Sequence, residues 1–286
     1  MAVYKRTYKG YEGGLTPGWS RFLILPRYSY ARLFHSKFLL MFLAVCAIYP
    51  IGATLFIYIA HNLSFLEALN IPASRFVDIN EKFFLYFCNF QSTMAFLLTA
   101  IVGPSLVSPD VTNNAMPLYL CRPFSRTEYV LGRMTVLMNL LAWITWIPGL
   151  ILFCLQWNMG GWAWTKNHLW IASAVFIGLF TWSVILSLIA LAVSAWVRWK
   201  IAAGGLILGV FFAGAGFGAA INAVMRTHNG SLIDIAQMMS TAWGQLFHYD
   251  SGNGISAAQA WGALAVVSAI SLWLLSKKVR AFEVVK

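Results

Sequence analysis

Six long apolar stretches divide the chain, and none of them contains Asp, Glu, Lys, Arg or His. A helix needs about 20 apolar residues to cross a hydrocarbon core about 30 Å thick. Backbone groups within lipid must bond inside their own segment, so we expect each stretch to be a helix. The predicted spans are residues 38–60, 83–107, 134–155, 169–197, 201–225 and 255–276. The pattern therefore predicts an all-α polytopic membrane protein with six transmembrane helices.

The composition supports the same fold class. Of the 286 residues, 60% are hydrophobic and only 10% are charged, whereas soluble domains average about 45–50% apolar and about 25% charged residues. We interpret residues 1–286 as a single transmembrane domain, with a leader (1–37), a six-helix bundle (38–276) and a tail (277–286). The first span follows a long basic leader, so we expect no cleaved signal peptide.

The Lys and Arg residues are distributed unevenly between the two sides of the predicted bundle. Sixteen flank the spans on the side of the two termini, and four lie on the other side. The positive-inside rule makes the richer side cytoplasmic, which puts both termini in the cytoplasm and predicts a multi-pass protein of the plasma (inner) membrane. Because the basic residues adjoin apolar runs and form no basic domain, the net charge of +11 does not indicate nucleic-acid binding.

Two segments outside the spans have an amphipathic pattern. In the leader, six apolar residues recur near helical spacing: Trp19, Phe22, Leu23, Tyr30, Leu33 and Phe34. This pattern favours a cytoplasmic helix lying in the membrane interface, with Pro26 at its start or at a kink, over a plain juxtamembrane leader. Residues 226–254, between spans five and six, predict one or two short helices dipping into the outer leaflet, or else a soluble cap.

The sequence lacks the motifs expected of a membrane enzyme or an ATPase. HExxH, GxSxG and GxxxxGK[ST] are absent, and the four cysteines include no CxxC pair. We therefore predict that the chain is not an enzyme and holds no metal or cofactor of its own. The spans also contain no acidic or basic residue, whereas proton- and ion-coupled carriers usually place such groups near the midplane. Any energy for active transport then has to come from another protein.

Uncharged polar residues do lie inside the spans, and the clearest candidates are Asn89, Gln91, Thr93 and Asn139. Such side chains either form hydrogen bonds between helices or line a substrate path. The sequence leaves both interpretations open. Cargo of several classes, including polysaccharide, drug, lipid and peptide, is compatible with them.

Span five contains two pairs of glycines with four-residue spacing, Gly205 with Gly209 and Gly214 with Gly218. Small residues at this spacing allow two helices to approach closely. The partner helix belongs either to the same bundle or to a second copy of the chain. These four glycines are therefore candidates for a dimer contact.

A compact polar segment, which we call the 108–133 patch, interrupts the apolar pattern between spans two and three. Pro109 is a favourable first residue for a short helix, with Ser108 as its cap and Asp110 in its first turn. The patch is expected on the cytoplasmic side. It is either a well-capped connecting loop or a surface that another protein holds.

The second half of the patch predicts the end of one helix and the start of another. Pro123 is expected to end the short helix, and Ser125 with Glu128 forms an S-x-x-E capping box for the helix that leads into span three. Arg122, Arg126 and Glu128 would then form a charged rim around an apolar face. This chemistry suits docking against another protein.

The stretch PLYLCRPFSRTEYVLGR within the patch resembles the segment after the second span in permease subunits of type-2 ABC transporters. That family has an acidic residue, a short helix, an apolar-Tyr-Leu stretch, Arg-Pro, Ser-Arg, and Glu-Tyr before a Gly and a basic residue. The matching residues are Asp110, Leu118, Tyr119, Leu120, Arg122, Pro123, Ser125, Arg126, Glu128, Tyr129, Gly132 and Arg133. The order of interfacial helix, six spans and outer amphipathic segment is also similar. Asn113 and Asn114 stand where members often carry basic residues.

The resemblance implies a permease that pairs with a second permease, which is either an identical copy or a close paralogue, and with two cytoplasmic ATPase subunits that bind ATP and Mg. A helix from about Asp110 to Leu120 would sit in a cleft on the ATPase, and export is the usual direction. The partner contacts that it implies are Asp110, Leu118, Tyr119, Leu120, Arg122, Pro123, Arg126 and Glu128. Two alternatives stay open: a subunit that transmits mechanical work without passing cargo, and a membrane-embedded enzyme acting on lipid.

Overall fold

The computed structural model describes residues 20, 23–62, 79–115, 119 and 125–278. In this part of the chain every regular element is a helix, and no strand occurs. The α-helices are α1 (Ile24–Phe34), α2 (Lys37–Ala60), α3 (Glu81–Thr112), α4 (Arg126–Ile144), α5 (Trp146–Trp196), α6 (Lys200–Met225), α7 (Ile235–Leu246) and α8 (Ala257–Lys278). A short 3₁₀ helix (Asn229–Leu232) lies between α6 and α7.

Five helical segments are long and apolar enough to cross a membrane: α2, α3, the run Arg126–Trp196, α6 and α8. The apolar stretches of the sequence thus form helices, and the chain is a multi-pass membrane protein by their length and composition. The run Arg126–Trp196 contains 71 residues, which at ~1.5 Å per residue would extend over roughly 105 Å if it were straight. It has to bend to fit any bilayer.

The bend lies at Gly161, whose backbone has a φ of 76° and a ψ of 176° inside α5. The ring centroids of Trp146 and Phe176 are only 5.3 Å apart, and those of Phe153 and Trp164 are 5.8 Å apart. Residues 146 and 176 would be about 45 Å apart on a straight helix. The chain therefore reverses at Gly161, and α5 is a hairpin of two antiparallel arms. Glycine suits this turn because it adopts positive φ without a steric penalty.

Prolines inside the helices leave backbone carbonyls without their usual partner, since proline has no N–H to give to the carbonyl four residues earlier. Pro50 in α2 frees the carbonyl of Cys46, and Pro148 at the start of α5 frees that of Ile144. Gln91 of α3 is buried, and its Nε2 donates to both carbonyls, at 3.2 Å and 2.6 Å. One amide side chain thus compensates two prolines and joins α2, α3 and α4.

The leader forms a helix, α1, as predicted, whereas its place in the membrane interface stays a prediction. Trp19 and Phe22 lie outside the described residues. Pro26 lies in the first turn of α1, where its missing N–H breaks no helical hydrogen bond. Leu25, Pro26 and Ser29 are buried, and α1 packs chiefly on α4 and also on α2. The helix is thus held against the bundle by one face.

Short helices between the last two long helices are also confirmed. Asp234 caps α7 by accepting from the backbone N–H of Ala236 at 2.9 Å, and Asn222 Oδ1 accepts from the N–H of Gly230 at 2.7 Å. The buried face of α7 includes Met238 and Trp243. This segment, residues 226–254, packs on α5, α6 and α8 instead of standing away from them.

The four glycines proposed for a dimer contact separate into two pairs. A Cβ at Gly218 would lie 2.6 Å from the carbonyl oxygen of Gly230, and one at Gly214 would lie 2.9 Å from that of Ile233. Gly214 and Gly218 thus pack on residues 230–234 of the same chain, as the first of the two interpretations predicted, and a role for them in a dimer contact stays a prediction. Nothing in the described part of the chain lies within 4 Å of a Cβ at Gly205 or Gly209.

We expect Gly218→Leu to destabilise the protein and Gly216→Leu to be tolerated. A side chain at Gly218 meets the Gly230 backbone, whereas a Cβ at Gly216 meets nothing within 4 Å, and overpacking costs about 1–3 kcal/mol. Thermal unfolding of both variants in the same detergent tests this. Equal unfolding midpoints would show that α6 and the outer segment are not packed as described.

Candidate functional site

The helix predicted to start at Pro109 does not start there. Helix α3 continues through Pro104 and Pro109 to Thr112, so Asp110 lies in its last turn and not in the first turn of a new helix. Ser108 is buried and donates to the carbonyl of Ser194 at 3.2 Å instead of capping a helix. The prediction was wrong because proline at a first helical position is a preference, which a compensated proline inside a helix overrides.

The compensation for Pro109 comes from the leader helix. Pro109 leaves the carbonyl of Ser105 without its helical partner. Arg32 of α1 donates to this carbonyl from Nη2 at 3.0 Å. The cytoplasmic end that we predict for α3 is thus fixed to α1 by a side chain 73 residues away in sequence.

A buried polar cluster joins three helices at this end of the bundle, and we call it the Asp110 cluster: Ser29, Asp110, Tyr129 and Arg133. Arg133 of α4 forms a salt bridge with Asp110 of α3. The Tyr129 hydroxyl donates to the same Asp110 oxygen at 2.8 Å, and Arg133 Nη1 donates to Ser29 Oγ of α1 at 2.7 Å. The cluster thus fixes α1, α3 and α4 relative to one another.

The two charges of the cluster are almost out of solvent. Asp110 and Arg133 are each 8% exposed, and Tyr129 is 2% exposed. The Arg133 guanidinium also lies 5.5 Å from the centre of the Tyr129 ring, where the ring face attracts a cation. Removing one partner of such a pair leaves an uncompensated buried charge. We therefore expect the pair to stay closed while the surrounding helices move.

The cluster closes the base of the 108–133 patch. Asp110 stands near the start of the patch and Arg133 is its last residue, so the salt bridge brings its two ends together. Tyr119, inside the patch, packs its ring 5.7 Å from that of Tyr129. Tyr119 and the two ends of the patch are thereby linked to α3 and α4. Thr112 adds a link to the start of α6 by donating to the carbonyl of Arg198 at 2.6 Å.

The capping box at the second half of the patch is confirmed. Ser125 Oγ accepts from the N–H of Glu128 at 3.2 Å, and Glu128 accepts from the N–H of Ser125 at 2.5 Å. Arg126, the first residue of α4, is exposed. The other implied partner contacts lie outside the described residues: Leu118, Leu120, Arg122 and Pro123. Asp110 is instead committed to Arg133 and Tyr129 within the chain.

The structure divides the four candidates for a substrate path. Gln91 forms interhelical hydrogen bonds, as one of the two interpretations predicted, and lines a cavity of about 620 Å³ together with Asn139. Asn89 and Thr93 line a second cavity of about 320 Å³ near α7. Asn89 donates to Leu85 O and Thr93 to Asn89 O within their own helix. The four residues therefore do not form one path.

Aromatic side chains form much of the second cavity. Its walls include Phe96, Trp182, Phe211, Phe212 and Trp243. Trp182 Nε1 donates a hydrogen bond to the carbonyl oxygen of Ser92 at 3.0 Å. In the described residues no three His, Cys, Asp or Glu side chains come together as a metal site would require.

Sequence reasoning missed Ser29 and Arg32, and it noted Arg133 only as part of a motif. One signal was available for the salt bridge, because Asp110 and Arg133 flank a loop that joins two apolar spans. No comparable signal pointed to Ser29, which lies 104 residues from its partner.

A scan against models of known protein families and a search among curated proteins both found no match for this chain.

We expect Asp110→Asn to lower stability strongly. It leaves the buried Arg133 charge unpaired, and breaking one side of a buried pair costs about 3–5 kcal/mol. Replacing both partners, as in Asp110→Leu with Arg133→Met, is expected to recover most of that loss. Asp250→Asn is the control, since Asp250 is exposed and outside the cluster.

Thermal unfolding and monodispersity in detergent measure these effects. The role given to the Asp110 cluster would be contradicted if Asp110→Asn unfolded at the temperature of the Asp250→Asn control.

Proposed function

We propose that this chain is the transmembrane permease subunit of an ABC transporter that couples ATP hydrolysis by a separate cytoplasmic ATPase to export of a substrate. The observation that carries the proposal is the Asp110 cluster at the base of the 108–133 patch. It gives a docked partner a rigid attachment to α1, α3 and α4 at once. The motif resemblance within the patch supplies the class of partner.

The proposed arrangement has six membrane crossings. The reversal at Gly161 supports this number, because it turns the run Arg126–Trp196 into two antiparallel segments. With α2, α3, α6 and α8 these make six, and an even number puts both termini on one side. The excess of basic residues on that side supports a cytoplasmic location in a plasma (inner) membrane.

The ATP and Mg would be held by the partner, since this chain has no phosphate-binding loop motif. ATP-driven closure of two ATPase subunits would displace the patch, and the Asp110 cluster would pass that displacement to the helices. The second permease would be another copy of the chain. Gly205 and Gly209 support a contact through α6, because each leaves open space for a closely approaching helix.

A subunit that transmits work without passing cargo is the alternative that uses the same patch. The separation of the polar candidates into two cavities favours it over a continuous path within one copy. A path formed between two copies would favour export. Transport assays on the assembled complex distinguish the two.

Cysteine labelling tests the six crossings. In a background without native cysteines, we expect Lys166→Cys and Asp250→Cys to react with a membrane-impermeant reagent from outside the cell. Thr127→Cys and Lys200→Cys should react only after the membrane is opened. All four positions are exposed, so a lack of labelling reports the side of the membrane. Labelling of Thr127→Cys and Lys166→Cys from the same side would contradict the hairpin crossing.

The partner test starts with purification of the tagged chain from its native membrane and measurement of ATP turnover. We expect an ATPase to co-purify. Arg126→Glu and Leu118→Ser should reduce its recovery by about fivefold or more, the effect of losing one significant interface contact. Tyr119→Ser is a weaker test, because Tyr119 also packs on Tyr129.

Arg198→Glu is the matched control, since Arg198 is exposed at the same end of the bundle but outside the patch. Unchanged ATPase recovery and unchanged ATP turnover in Arg126→Glu and Leu118→Ser would refute the patch as the docking surface. A chain that purifies without any ATPase would refute the proposed class.

A further inference from the structure

A groove of about 540 Å³ lies where α1 ends, α2 begins and α6 begins, with α3 behind it. It is separate from the Asp110 cluster and from the two cavities that hold the polar candidates. Its lining includes two cationic side chains, Arg32 and Lys200, and a larger number of apolar ones. A ligand that matches this groove carries both an anionic group and an apolar part.

The two cations are not neutralised by the described part of the chain. No acidic side chain there forms a salt bridge with Arg32 or Lys200, and Asp110, which lines a neighbouring cavity with Arg32, is paired with Arg133. The bond from Arg32 Nη2 to the Ser105 carbonyl holds the guanidinium against the groove. Its remaining N–H groups can still donate, since arginine carries five.

Apart from Ser36 and Ser105, the rest of the lining is apolar, and the groove extends along α6 from Lys200 to Leu208. Leu97 and Ile101 of α3 face Leu208 of α6 across it. Lys200 and Leu208 lie in the same helix, so their separation along its axis is about 12 Å. That depth is close to one leaflet, since the whole hydrocarbon core is about 30 Å thick. The groove thus has a charged end at the helix termini and an apolar interior.

We propose that this groove binds an anionic phospholipid, with the phosphate between Arg32 and Lys200 and an acyl chain along Leu97, Ile101 and Leu208. Basic pockets between membrane helices on the cytoplasmic side bind anionic lipid head groups. Free phosphate would leave the apolar wall unused. Gly205 also lines the groove, so a second copy packed on the Gly205 and Gly209 face would border it. A copy placed over the charged end itself would bring the same two cations together, which is unfavourable.

The bound lipid would connect two elements that have little other contact. Arg32 belongs to α1 and also holds the α3 carbonyl freed by Pro109, whereas Lys200 is the first residue of α6. A phosphate between them would join the leader helix to the helix that carries the open Gly205 and Gly209 face. This inference does not depend on an ATPase partner.

Native mass spectrometry of the full chain tests the site. The delipidated protein is titrated with phosphatidylglycerol and, separately, with phosphatidylcholine of identical acyl chains. We expect selective binding of phosphatidylglycerol, weakened about fivefold by Arg32→Gln or by Lys200→Gln, as expected for one charge at a membrane surface. Arg32→Lys keeps the charge and should retain most of the affinity.

Two controls and one wall variant separate this site from general surface charge. Arg27→Gln and Arg198→Gln remove exposed cations near Arg32 and Lys200 that do not line the groove, and they should change the affinity less than twofold. Ile101→Trp keeps both cations and fills the groove, so it should also weaken lipid binding. Competition by inorganic phosphate should be weak.

Several outcomes would overturn the proposal. Equal binding of the two lipids would remove head-group selection, and equal losses in Arg27→Gln and Arg32→Gln would leave only non-specific attraction. Full displacement by inorganic phosphate would indicate an anion site without a lipid chain. A lower dimer fraction in Arg32→Gln and Lys200→Gln, with phosphatidylglycerol binding unchanged, would assign the groove to a second copy.

Discussion

The bundle depends on side chains that donate hydrogen bonds to backbone carbonyls which prolines leave without a donor. Gln91 donates to two of them, Cys46 O and Ile144 O, and thereby connects α3 to α2 and α4. Arg32 donates to a third such carbonyl, that of Ser105, and thereby connects α1 to α3. In lipid an unpaired backbone group costs several kcal/mol, so a side chain that donates to a carbonyl freed by proline stabilises its helix. The helices are consequently fixed to one another at the points where each of them is weakest.

The Asp110 cluster applies the same logic to charge. Asp110 and Arg133 are too deeply buried to exist singly, so α3 and α4 have to end and begin beside each other. The cluster holds the two ends of the connection between α3 and α4 beside each other. A protein that bound residues between Asp110 and Arg133 would therefore contact a segment fixed to α3 and α4, and through Ser29 to α1 as well.

The apolar pattern predicted the long helices because apolar length is a local property, and lipid leaves helix as the main solution. The S-x-x-E motif likewise predicted the capping box of α4, since Ser125 and Glu128 interact three residues apart. The prediction of a helix start at Pro109 failed, because Arg32 stabilises the continuous helix and lies 73 residues from the Ser105 carbonyl that it binds. The partners of Gln91 and Ser29 were out of reach for the same reason. Glycine spacing likewise could not tell Gly218, which packs inside the chain, from Gly209, which does not.

The second arm of the hairpin at Gly161, residues 162–196, is an uninterrupted helix, whereas the run before Gly161 is broken at Thr145, which separates α4 from α5. The second arm would extend about 50 Å along its axis, whereas the hydrocarbon core is about 30 Å thick. This arm therefore projects beyond the hydrocarbon core unless it is strongly tilted. A tilt of about 10° around the middle of such an arm moves its end by about 4 Å. A small tilt of this arm inside the bilayer would thus displace its ends by several ångströms.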